Sequence, residues 1–428
     1  MASSPLRPRM VTADAAGNIR DHPRLLMVCR KGEEILLPRP EELIPLPPES
    51  TLFFLPGRGA LGFDLDSRAL EEHEDQAVAA FAAPAHTLTA HPAFRRAPNA
   101  PVLPLFAYGA VGFAHNRLYL CAKKVDADRR QEFRAVPPAL LERQARELVA
   151  RFPGNRLIRH LAGTCARIYN CPAARNLCLG RYEAPLPVSR VCNARCLGCI
   201  SLQDKESPIS RTPQCRMEFT PSPEEIVEVM RHHGSRETSA PIFSFGQGCE
   251  GEPLTEAPLI AAAIRLFRAG GGRGTINLNS NASLPEAVAL LAEAGLSSLR
   301  VSLNSARPGP YARYYRPAGY SFEHVVQSIR IAKTSGLYVS LNLLFFPGFS
   351  DTEEELSALI ALIRQERVDC LQLRNLNIDP DLYLDLMRGL PTGPCAGYIN
   401  AVKRLRRECP WLRLGYFNPP LEDGGGGS

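Results

Sequence analysis

From about residue 181 onward, the sequence alternates short apolar segments with amphipathic segments six times. The apolar segments, typical of buried strands, are YEAPLPVS, PIFSFGQG, TINLNSNA, LRVSLNS, VSLNLLFF and LQLRNLNI. The segments with helical spacing are PEEIVEVMRHH, LIAAAIRLFRA, PEAVALLAEAG, HVVQSIRIAKTSG, EEELSALIALIRQE and INAVKRLRREC. Because neighbouring parallel strands need a crossover connection, this alternation predicts a parallel sheet that curls or is doubly wound, and LRLGYF is a candidate last strand.

The rest of the chain divides by composition. Residues 1–23 are small, polar and Pro-containing, which predicts disorder. Residues 24–137 alternate short apolar runs such as TLFFLPG with Pro and Gly, which predicts a small β-rich domain. Residues 138–180 form a connector that begins with the helical PALLERQARELVA and continues as a Cys-rich, irregular segment from His160 to Gly180. Residues 421–428 are a Gly-Ser tail typical of an engineered linker.

Composition narrows the class of protein. A chain of 428 residues with 45% hydrophobic residues is long enough to bury a large core. The net charge of +6 is too mild to indicate nucleic-acid binding. No apolar run of membrane-spanning length and no signal-peptide pattern is visible, so we expect a cytoplasmic protein without a membrane partner. Thirteen cysteines in a reducing compartment indicate metal ligands or free thiols.

Three of these cysteines directly follow the first strand of the repeat. Cys192, Cys196 and Cys199 have the spacing C-x3-C-x2-C, which in a tight loop brings three thiolates together. A cubane cluster has four irons, so three thiolates leave one iron open to chelate a cofactor or substrate. Zinc in a structural site would normally require a fourth protein ligand.

This spacing at the end of a first strand resembles the signature of the radical S-adenosylmethionine (radical SAM) superfamily, and the resemblance covers about residues 181–380. It implies a partial (β/α)6 TIM-like barrel over residues 181–420, with the three cysteines as catalytic residues and ligands of a [4Fe–4S] cluster. In this family, reductive cleavage of S-adenosylmethionine gives a 5′-deoxyadenosyl radical that takes a hydrogen atom from the substrate. By the same analogy the electron donor is a ferredoxin or a flavodoxin.

The segment FGQGCEGEPL after the second strand resembles the family's Gly-Gly-Glu motif, which binds the amino group of the cofactor's methionine. Gly251 would allow close backbone approach and Glu252 would offer a carboxylate to the ammonium group. Polar ends of the third and fourth strands face the mouth of a barrel, and in the family they contact the methionine carboxylate or the ribose, while the turn after the fifth strand lies near the adenine. The cofactor-binding residues implied are Gly251, Glu252, Pro253, Asn279, Asn281, Ser302, Asn304 and Phe346.

One position departs from the family pattern. The residue before the third cysteine is usually aromatic, but here it is Gly198, so a neighbour would have to supply the missing contact beside the adenine. The segment PYARYYRP holds Tyr311, Tyr314 and Tyr315, which would either line the substrate entrance or pack as a loop on the barrel.

A second cysteine group lies upstream. Cys165, Cys171 and Cys178 precede the signature in a layout similar to that of lipoyl synthase, although each gap is one residue longer and the Arg-Ser-Ser-Tyr element of that family is absent. The resemblance implies an auxiliary [4Fe–4S] cluster. A zinc site or plain buried thiols are the alternatives, with Cys215 or Cys249 as a candidate fourth ligand.

Three functions are compatible with these motifs. The first is C–H functionalisation of a metabolite, peptide or macromolecule, where the extra N-terminal domain favours a large substrate. The second is sulfur insertion at the expense of the auxiliary cluster. The third is a non-catalytic metal-binding scaffold, which the presence of Gly251, Glu252 and Pro253 beside the cysteines disfavours.

Overall fold

The computed structural model describes residues 6–209, 211–237, 239–391 and 393–421. Within these ranges the chain has a mixed α/β fold, with an antiparallel N-terminal part and a parallel C-terminal part. The expected disorder of residues 1–5 and the expected linker at 422–428 lie outside the described residues. No helix among the described residues has the length and apolar character needed to cross a bilayer.

The N-terminal part is a nine-stranded antiparallel sheet and a three-stranded sheet. The large sheet has the order β10-β6-β2-β1-β7-β11-β12-β5, with β8 paired to β12, and the small sheet has the order β4-β3-β9. A 3-10 turn, Pro40–Glu42, precedes β5. The strands are β1 Arg9–Ala13, β2 Ile19–Met27, β3 Cys29–Lys31, β4 Glu34–Leu36, β5 Leu43–Pro45, β6 Thr51–Asp64, β7 Ala69–Phe81, β8 His86–Leu88, β9 His91–Pro92, β10 Phe94–Arg96, β11 Gly109–Ala114 and β12 Arg117–Lys124.

The prediction of disorder through residue 23 is wrong for the part that is described. Strand β1 pairs with β2, β7 and β11 inside the large sheet, and Met10, Val11 and Ala13 are buried there. Three apolar residues are too few to give a periodic signal in the sequence. The order of this segment comes from hydrogen bonds to strands far away in the chain.

The connector is helical throughout most of its length. It contains α1 Pro138–Arg151, α2 Arg156–Ile158, a π-helix at Arg159–Ala166, and α3 Pro172–Leu179. The prediction of an irregular segment from residue 160 to 180 is therefore wrong. Helix α3 begins with Pro172 at its first position and ends at Gly180, which has a φ of +65°. Both are standard helix boundaries, but a helix of eight residues is too short to show clear periodicity.

The C-terminal part is a seven-stranded parallel sheet with the strands in sequence order. All six predicted strands and all six predicted helices are present, together with the seventh strand. The short helices α7 and α10 were not predicted. The elements are β13 Glu183–Pro185, α4 Pro223–Arg236, β14 Ile242–Phe245, a 3-10 turn Pro253–Glu256, α5 Ala257–Ala269, β15 Thr275–Ser280, α6 Pro285–Ala294, β16 Ser298–Leu303, α7 Pro308–Tyr315, α8 Phe322–Thr334, β17 Tyr338–Phe345, α9 Glu353–Gln365, β18 Cys370–Asn375, α10 Pro380–Met387, α11 Tyr398–Glu408 and β19 Arg413–Gly415.

The N-terminal sheet covers the carboxyl ends of strands β17 and β18. Arg58 and Asp379, which are both buried, form an ion pair with a nitrogen–oxygen distance of 2.7 Å. The hydroxyl of Thr87 donates to the carbonyl of Leu373 at 2.7 Å, and the backbone N–H of Leu88 donates to Asn375 Oδ1 at 2.8 Å. The carboxyl edge of a parallel sheet is where α/β proteins place their sites, so this covering sheet bounds any site there.

Candidate active site

A cavity of about 380 Å³ lies at the carboxyl ends of the central parallel strands. The N-terminal sheet reaches it through Phe81 and Ala82. Most of the site residues expected from the sequence line this one cavity: Cys192, Cys196, Cys199, Gly251, Glu252, Pro253, Asn279, Asn281 and Ser302.

The cysteine loop is held on one side by the turn that follows β14. The N–H of Gly251 donates to the carbonyl of Ser189 at 2.7 Å, and the N–H of Glu252 donates to the carbonyl of Val191 at 2.8 Å. A Cβ added at Gly251 would overlap the Val191 carbonyl group. Glycine is therefore required so that the turn can lie directly against the loop that presents Cys192.

On the other side, the loop is held by the end of α7. The N–H groups of Arg195 and Leu197 donate to the carbonyls of Tyr315 and Tyr314, each at 3.0 Å. A Cβ at Gly198 would overlap the Tyr314 hydroxyl, so the side chain of Tyr314 fills the space beside this glycine. An aromatic side chain from α7 thus lies directly beside Gly198.

The three tyrosines of PYARYYRP have two different roles, since two of them line the cavity and the third packs in the protein core. Tyr314 and Tyr315 line the cavity, while Tyr311 is fully buried behind them. The ring of Tyr311 stacks on that of Tyr315 with their centroids 4.5 Å apart. The segment therefore both lines the cavity and packs on the body of the protein.

The thiols of the cysteine loop are free and partly buried. Burial raises the pKa of Cys192 to about 11 and raises that of Cys196 well above its usual value. Arg216 Nη2 lies 3.6 Å from Cys199 Sγ and is positioned to donate to it. Three thiolates in this wall need more positive charge than one arginine carries, which a bound metal cluster would provide.

Glu252 is anchored by hydrogen bonds within the chain. Its carboxylate accepts from the N–H of Leu254 at 3.0 Å, from Ser280 Oγ at 2.5 Å and from the N–H of Asn281 at 2.9 Å. Burial raises the pKa of Glu252 to about 7, although these hydrogen bonds oppose the shift. A carboxylate has about four lone-pair sites, so roughly one remains free to face the cavity.

Glu250 is a site residue that the sequence did not reveal. Its carboxylate accepts from the N–H groups of Val188 at 2.7 Å, Ser189 at 3.0 Å and Gln247 at 2.6 Å. These contacts fix the chain as it leaves β13 toward the cysteines. The only signal in the sequence was a second glutamate two residues before Glu252, and spacing alone does not indicate which of the two does what.

The polar strand ends are also organised by hydrogen bonds. Asn279 Nδ2 donates to the carbonyl of Gly246 at 2.9 Å, and Asn281 Nδ2 donates to Asn193 Oδ1 at 2.9 Å. Asn193 lies between Cys192 and Cys196. Asn281 therefore connects the third strand of the parallel sheet to the cysteine loop.

Two predicted cofactor residues lie outside the cavity lining. The amide of Asn304 is buried and donates to the carbonyl of Pro310 and to the hydroxyl of Tyr383, both at 3.2 Å. Phe346 packs between the rings of His91 and Tyr383, with centroid distances of 4.3 and 4.6 Å. Each follows the last residue of its strand, where the strand alternation no longer sets the direction of a side chain.

Two arginines in the cavity wall were also missed. Arg300 lies in β16 and Arg374 in β18, and neither forms an ion pair with any carboxylate of the described chain. Burial, together with the charge of Arg374, lowers the pKa of Arg300 to about 9, so Arg300 remains cationic at neutral pH. Arg374 donates to the carbonyl of Tyr416 from Nε at 3.1 Å and from Nη2 at 2.9 Å. The sequence did carry one indication of these two site residues, since an arginine within an otherwise largely apolar strand is unusual.

The upstream cysteines are distributed differently from the expectation. Cys165 Sγ lies 3.3 Å from His160 Nε2 and 3.8 Å from Cys249 Sγ. The three ligand atoms all lie within 4.8 Å of one another, and Cys171 and Cys178 are not part of this group. The auxiliary cluster on Cys165, Cys171 and Cys178 remains a prediction.

The family model of the radical SAM superfamily matches residues 186–360. This range contains the cysteine loop, the turn with Glu252 and the strands that carry the cavity. Over residues 186–360 the chain therefore matches the radical SAM superfamily, whose members are enzymes, and the family implies a [4Fe–4S] cluster and S-adenosylmethionine as its cofactors. No curated protein matches the sequence.

HydG, SuiB and methylornithine synthase are among the solved structures similar to this chain, all at low sequence identity. HydG, a maturase of the [FeFe]-hydrogenase, has 15% identity and a TM-score of 0.40, with 64% of this chain and 63% of that chain covered. SuiB from Streptococcus suis has 11% identity and a TM-score of 0.38, with coverage of 61% and 53%. Methylornithine synthase, PylB, has 15% identity and a TM-score of 0.36, with coverage of 65% and 71%.

Proposed function

We propose that this enzyme cleaves S-adenosylmethionine reductively and uses the resulting radical to take a hydrogen atom from a substrate bound in the same cavity. One observation carries the proposal. A single cavity gathers the thiols of the C-x3-C-x2-C loop, the carboxylate of Glu252 and the polar ends of neighbouring strands, in a chain that matches the radical SAM family over this region.

The donor set of the cavity fits a [4Fe–4S] cluster with one open iron. Among the described residues that line it, Cys192, Cys196 and Cys199 are the only cysteines and no histidine is present. They would hold three irons and leave the fourth for the cofactor's amino and carboxylate groups. A cluster held by these three cysteines would supply the electron for reductive cleavage of the cofactor's sulfonium C–S bond, with methionine as the leaving product.

Side chains of the chain would orient the cofactor. Glu252, with roughly one free lone-pair site, would accept a hydrogen bond from the methionine ammonium group. Asn279, Asn281 and Ser302 would offer amide and hydroxyl groups to the carboxylate or the ribose. Tyr314 would supply the aromatic face that the loop lacks at Gly198.

We also propose that residues 181–420 form a partial (β/α)6 barrel. Contacts of Asn418, after the last strand, support this. Its Nδ2 donates to Glu183 Oε1 on β13 at 3.0 Å, and its Oδ1 accepts from Gln372 Nε2 on β18 at 3.1 Å. Side chains from the first and sixth strands of the sheet thus meet at one residue, as expected for a strongly curled sheet.

The substrate, in this proposal, presents an anionic group to Arg300 and Arg374. Two partly buried cationic side chains that form no ion pair with a carboxylate of the described residues favour an anion, since removing a charge from water is costly unless the charge is paired. A small acidic metabolite, or an acidic side chain of a peptide, would present such an anionic group to the two arginines of the cavity.

Hydrogen abstraction is favoured over sulfur insertion. Sulfur insertion requires an auxiliary cluster, and the thiol of Cys165 lies beside His160 Nε2 and Cys249 Sγ, in a group that does not include Cys171 or Cys178. The scaffold alternative is disfavoured because the matched family is one of enzymes. Ferredoxin or flavodoxin is the electron donor we propose.

The test uses the full chain, reconstituted anaerobically with iron and sulfide and reduced with dithionite. We expect about four irons bound by the loop, a reduced-cluster EPR signal and formation of 5′-deoxyadenosine. Cys196→Ala should abolish all three, whereas Cys409→Ala, at a buried cysteine outside the cavity, should not. Retained 5′-deoxyadenosine formation by Cys196→Ala would refute the proposal.

A second variant tests the role of Glu252. Glu252→Gln keeps the side-chain shape but removes the charge, and hydrogen bonds to charged groups contribute about 1.5–3 kcal/mol. We expect the Kd for S-adenosylmethionine, measured by calorimetry, to rise by roughly 10- to 100-fold with iron content unchanged. An unchanged Kd would contradict this role.

A further inference from the structure

We propose that His160, Cys165 and Cys249 form a second metal site that binds one thiophilic divalent ion of the zinc type. The site lies outside the cavity described above and does not depend on the radical chemistry. Cys165 and Cys249 are buried and His160 is partly buried, and their ligand atoms all lie within 4.8 Å of one another.

The distances match the ligand shell of a single tetrahedral ion. With bonds of about 2.3 Å to sulfur and about 2.0 Å to nitrogen, tetrahedral geometry places two sulfurs about 3.8 Å apart and a sulfur and a nitrogen about 3.5 Å apart. The observed separations are 3.8 Å between Cys165 Sγ and Cys249 Sγ and 3.3 Å between Cys165 Sγ and His160 Nε2. Little movement would be needed to bind the ion.

The same distances do not fit an iron–sulfur cluster. In a [4Fe–4S] cluster each thiolate binds a different iron, so the ligand sulfurs are further apart than the ligands of one ion. The sequence predicted Cys178 in such a cluster, but Cys178 is not part of the group formed by His160, Cys165 and Cys249. Its backbone carbonyl accepts a hydrogen bond from Arg236 Nη1 at 2.9 Å. Thiolate and imidazole ligands together are typical of zinc.

The local helix geometry brings two of the ligands together. His160 and Cys165 are five residues apart on the π-helix Arg159–Ala166. In an α-helix, positions five apart point about 140° away from each other. The i→i+5 winding of a π-helix returns them to nearly the same face. Such turns are rare and tend to occur at functional sites, which is an independent indication that this segment is built around a ligand.

The third ligand comes from the turn that serves the active site. Cys249 directly precedes Glu250, and its carbonyl accepts from the N–H of Met217 at 2.8 Å. An ion here would therefore tie the helical connector to the turn that carries Glu250 and Glu252. No further His, Cys, Asp or Glu of the described residues has a ligand atom within the same 4.8 Å, so the ion would have three protein ligands and an open fourth position for water, as in zinc sites of the catalytic type.

The experiment measures zinc and iron per chain by mass spectrometry on the purified full-length protein. The triple variant Cys192→Ala/Cys196→Ala/Cys199→Ala removes the cluster of the cavity and should retain about one zinc ion. Cys165→Ser and His160→Asn should lose the zinc and keep about four irons after reconstitution. Cys178→Ser is the matched control, because it alters a buried cysteine outside the group and should keep both metals.

Cobalt(II) titration of the triple variant provides a readout that does not depend on folding of the ligand variants. Thiolate-to-cobalt charge transfer and the intense absorption of a tetrahedral site are expected, and zinc should abolish both. The proposal is overturned if the wild type binds no zinc and cobalt gives no such bands. A second result would also overturn it. If the triple variant still binds about four irons, and Cys165→Ser binds about four irons fewer than the wild type, a cluster is bound at Cys165.

Discussion

The substitution Gly251→Ala tests whether the Gly-Glu-Pro turn positions the cysteine loop. Gly251 has no positive φ, so alanine would introduce no backbone strain and the effect would be purely steric. Its Cβ would overlap the carbonyl oxygen and carbon of Val191. To remove this overlap, the cysteine loop must move away from the turn by roughly 1 Å or more, because non-bonded carbon contacts are optimal near 3.5–4.0 Å.

The magnitude follows from the bonds that this movement breaks. The Gly251–Ser189 and Glu252–Val191 backbone hydrogen bonds, at 2.7 and 2.8 Å, join the turn to the loop. At about 1 kcal/mol each, their loss should destabilise the apo-protein by about 2 kcal/mol. The shift also moves Cys192 relative to Cys196 and Cys199, so less iron should be bound.

Two measurements check this prediction. Urea denaturation gives the free energy of unfolding of the apo-protein, and iron per chain is measured after anaerobic reconstitution. Gly154→Ala is the matched control, because a Cβ at Gly154 meets no atom within 4 Å. Iron content and stability in Gly251→Ala equal to those of Gly154→Ala would refute the steric argument.

Three further predictions concern other contacts. Arg216→Ala removes the donor to Cys199 Sγ, and a loss of about 1 kcal/mol of preference for the reduced cluster should lower its midpoint potential by roughly 40 mV in an EPR-monitored titration. Asp379→Asn leaves the buried Arg58 without its partner and should cost about 3–5 kcal/mol in urea denaturation. Burial lowers the pKa of His91 to about 3 from 6.5, so the folded state binds fewer protons than the unfolded state between these values. The contribution of His91 to stability is then complete above pH 6.5 and falls, by at most about 5 kcal/mol, as pH drops toward 3, and His91→Gln should flatten this dependence in urea titrations across pH.

Each of these variants has a control. Arg211→Ala, at an exposed arginine of the same loop, should leave the potential unchanged. Asp385→Asn alters a half-exposed aspartate and should cost at most about 1 kcal/mol. His115→Gln, at an exposed histidine, should retain the wild-type pH profile. If a variant and its control behave alike, the contact assigned to that variant is wrong.

The strand–helix alternation and the cysteine signature could be predicted because both are local patterns. A buried parallel strand is a short apolar run, and its helix repeats every 3.6 residues, so neither depends on distant contacts. The C-x3-C-x2-C spacing and the Gly-Glu-Pro turn are equally local, and the cavity brings Cys192, Cys196, Cys199 and Glu252 together as expected.

Other features depend on residues far apart in the sequence, and the sequence alone did not indicate them. Strand β1 is ordered by partners up to about a hundred residues away. His160 approaches Cys165 because the helix is locally wound as a π-helix. The hydrophobic periodicity of the sequence does not predict this winding. Phe346 contacts His91 of the N-terminal part and does not line the cavity.

Local sequence patterns are sufficient to predict the parallel α/β architecture, the cysteine loop and the turn with Glu252, because these depend on residues close together in the chain. The packing of distant elements is what places the N-terminal sheet over the carboxyl edge of the parallel sheet and brings Arg300 and Arg374 into one wall. It also decided that Cys249 joins His160 and Cys165. These arrangements arise when separate elements pack together, and packing depends on shape and burial that single-sequence patterns do not encode.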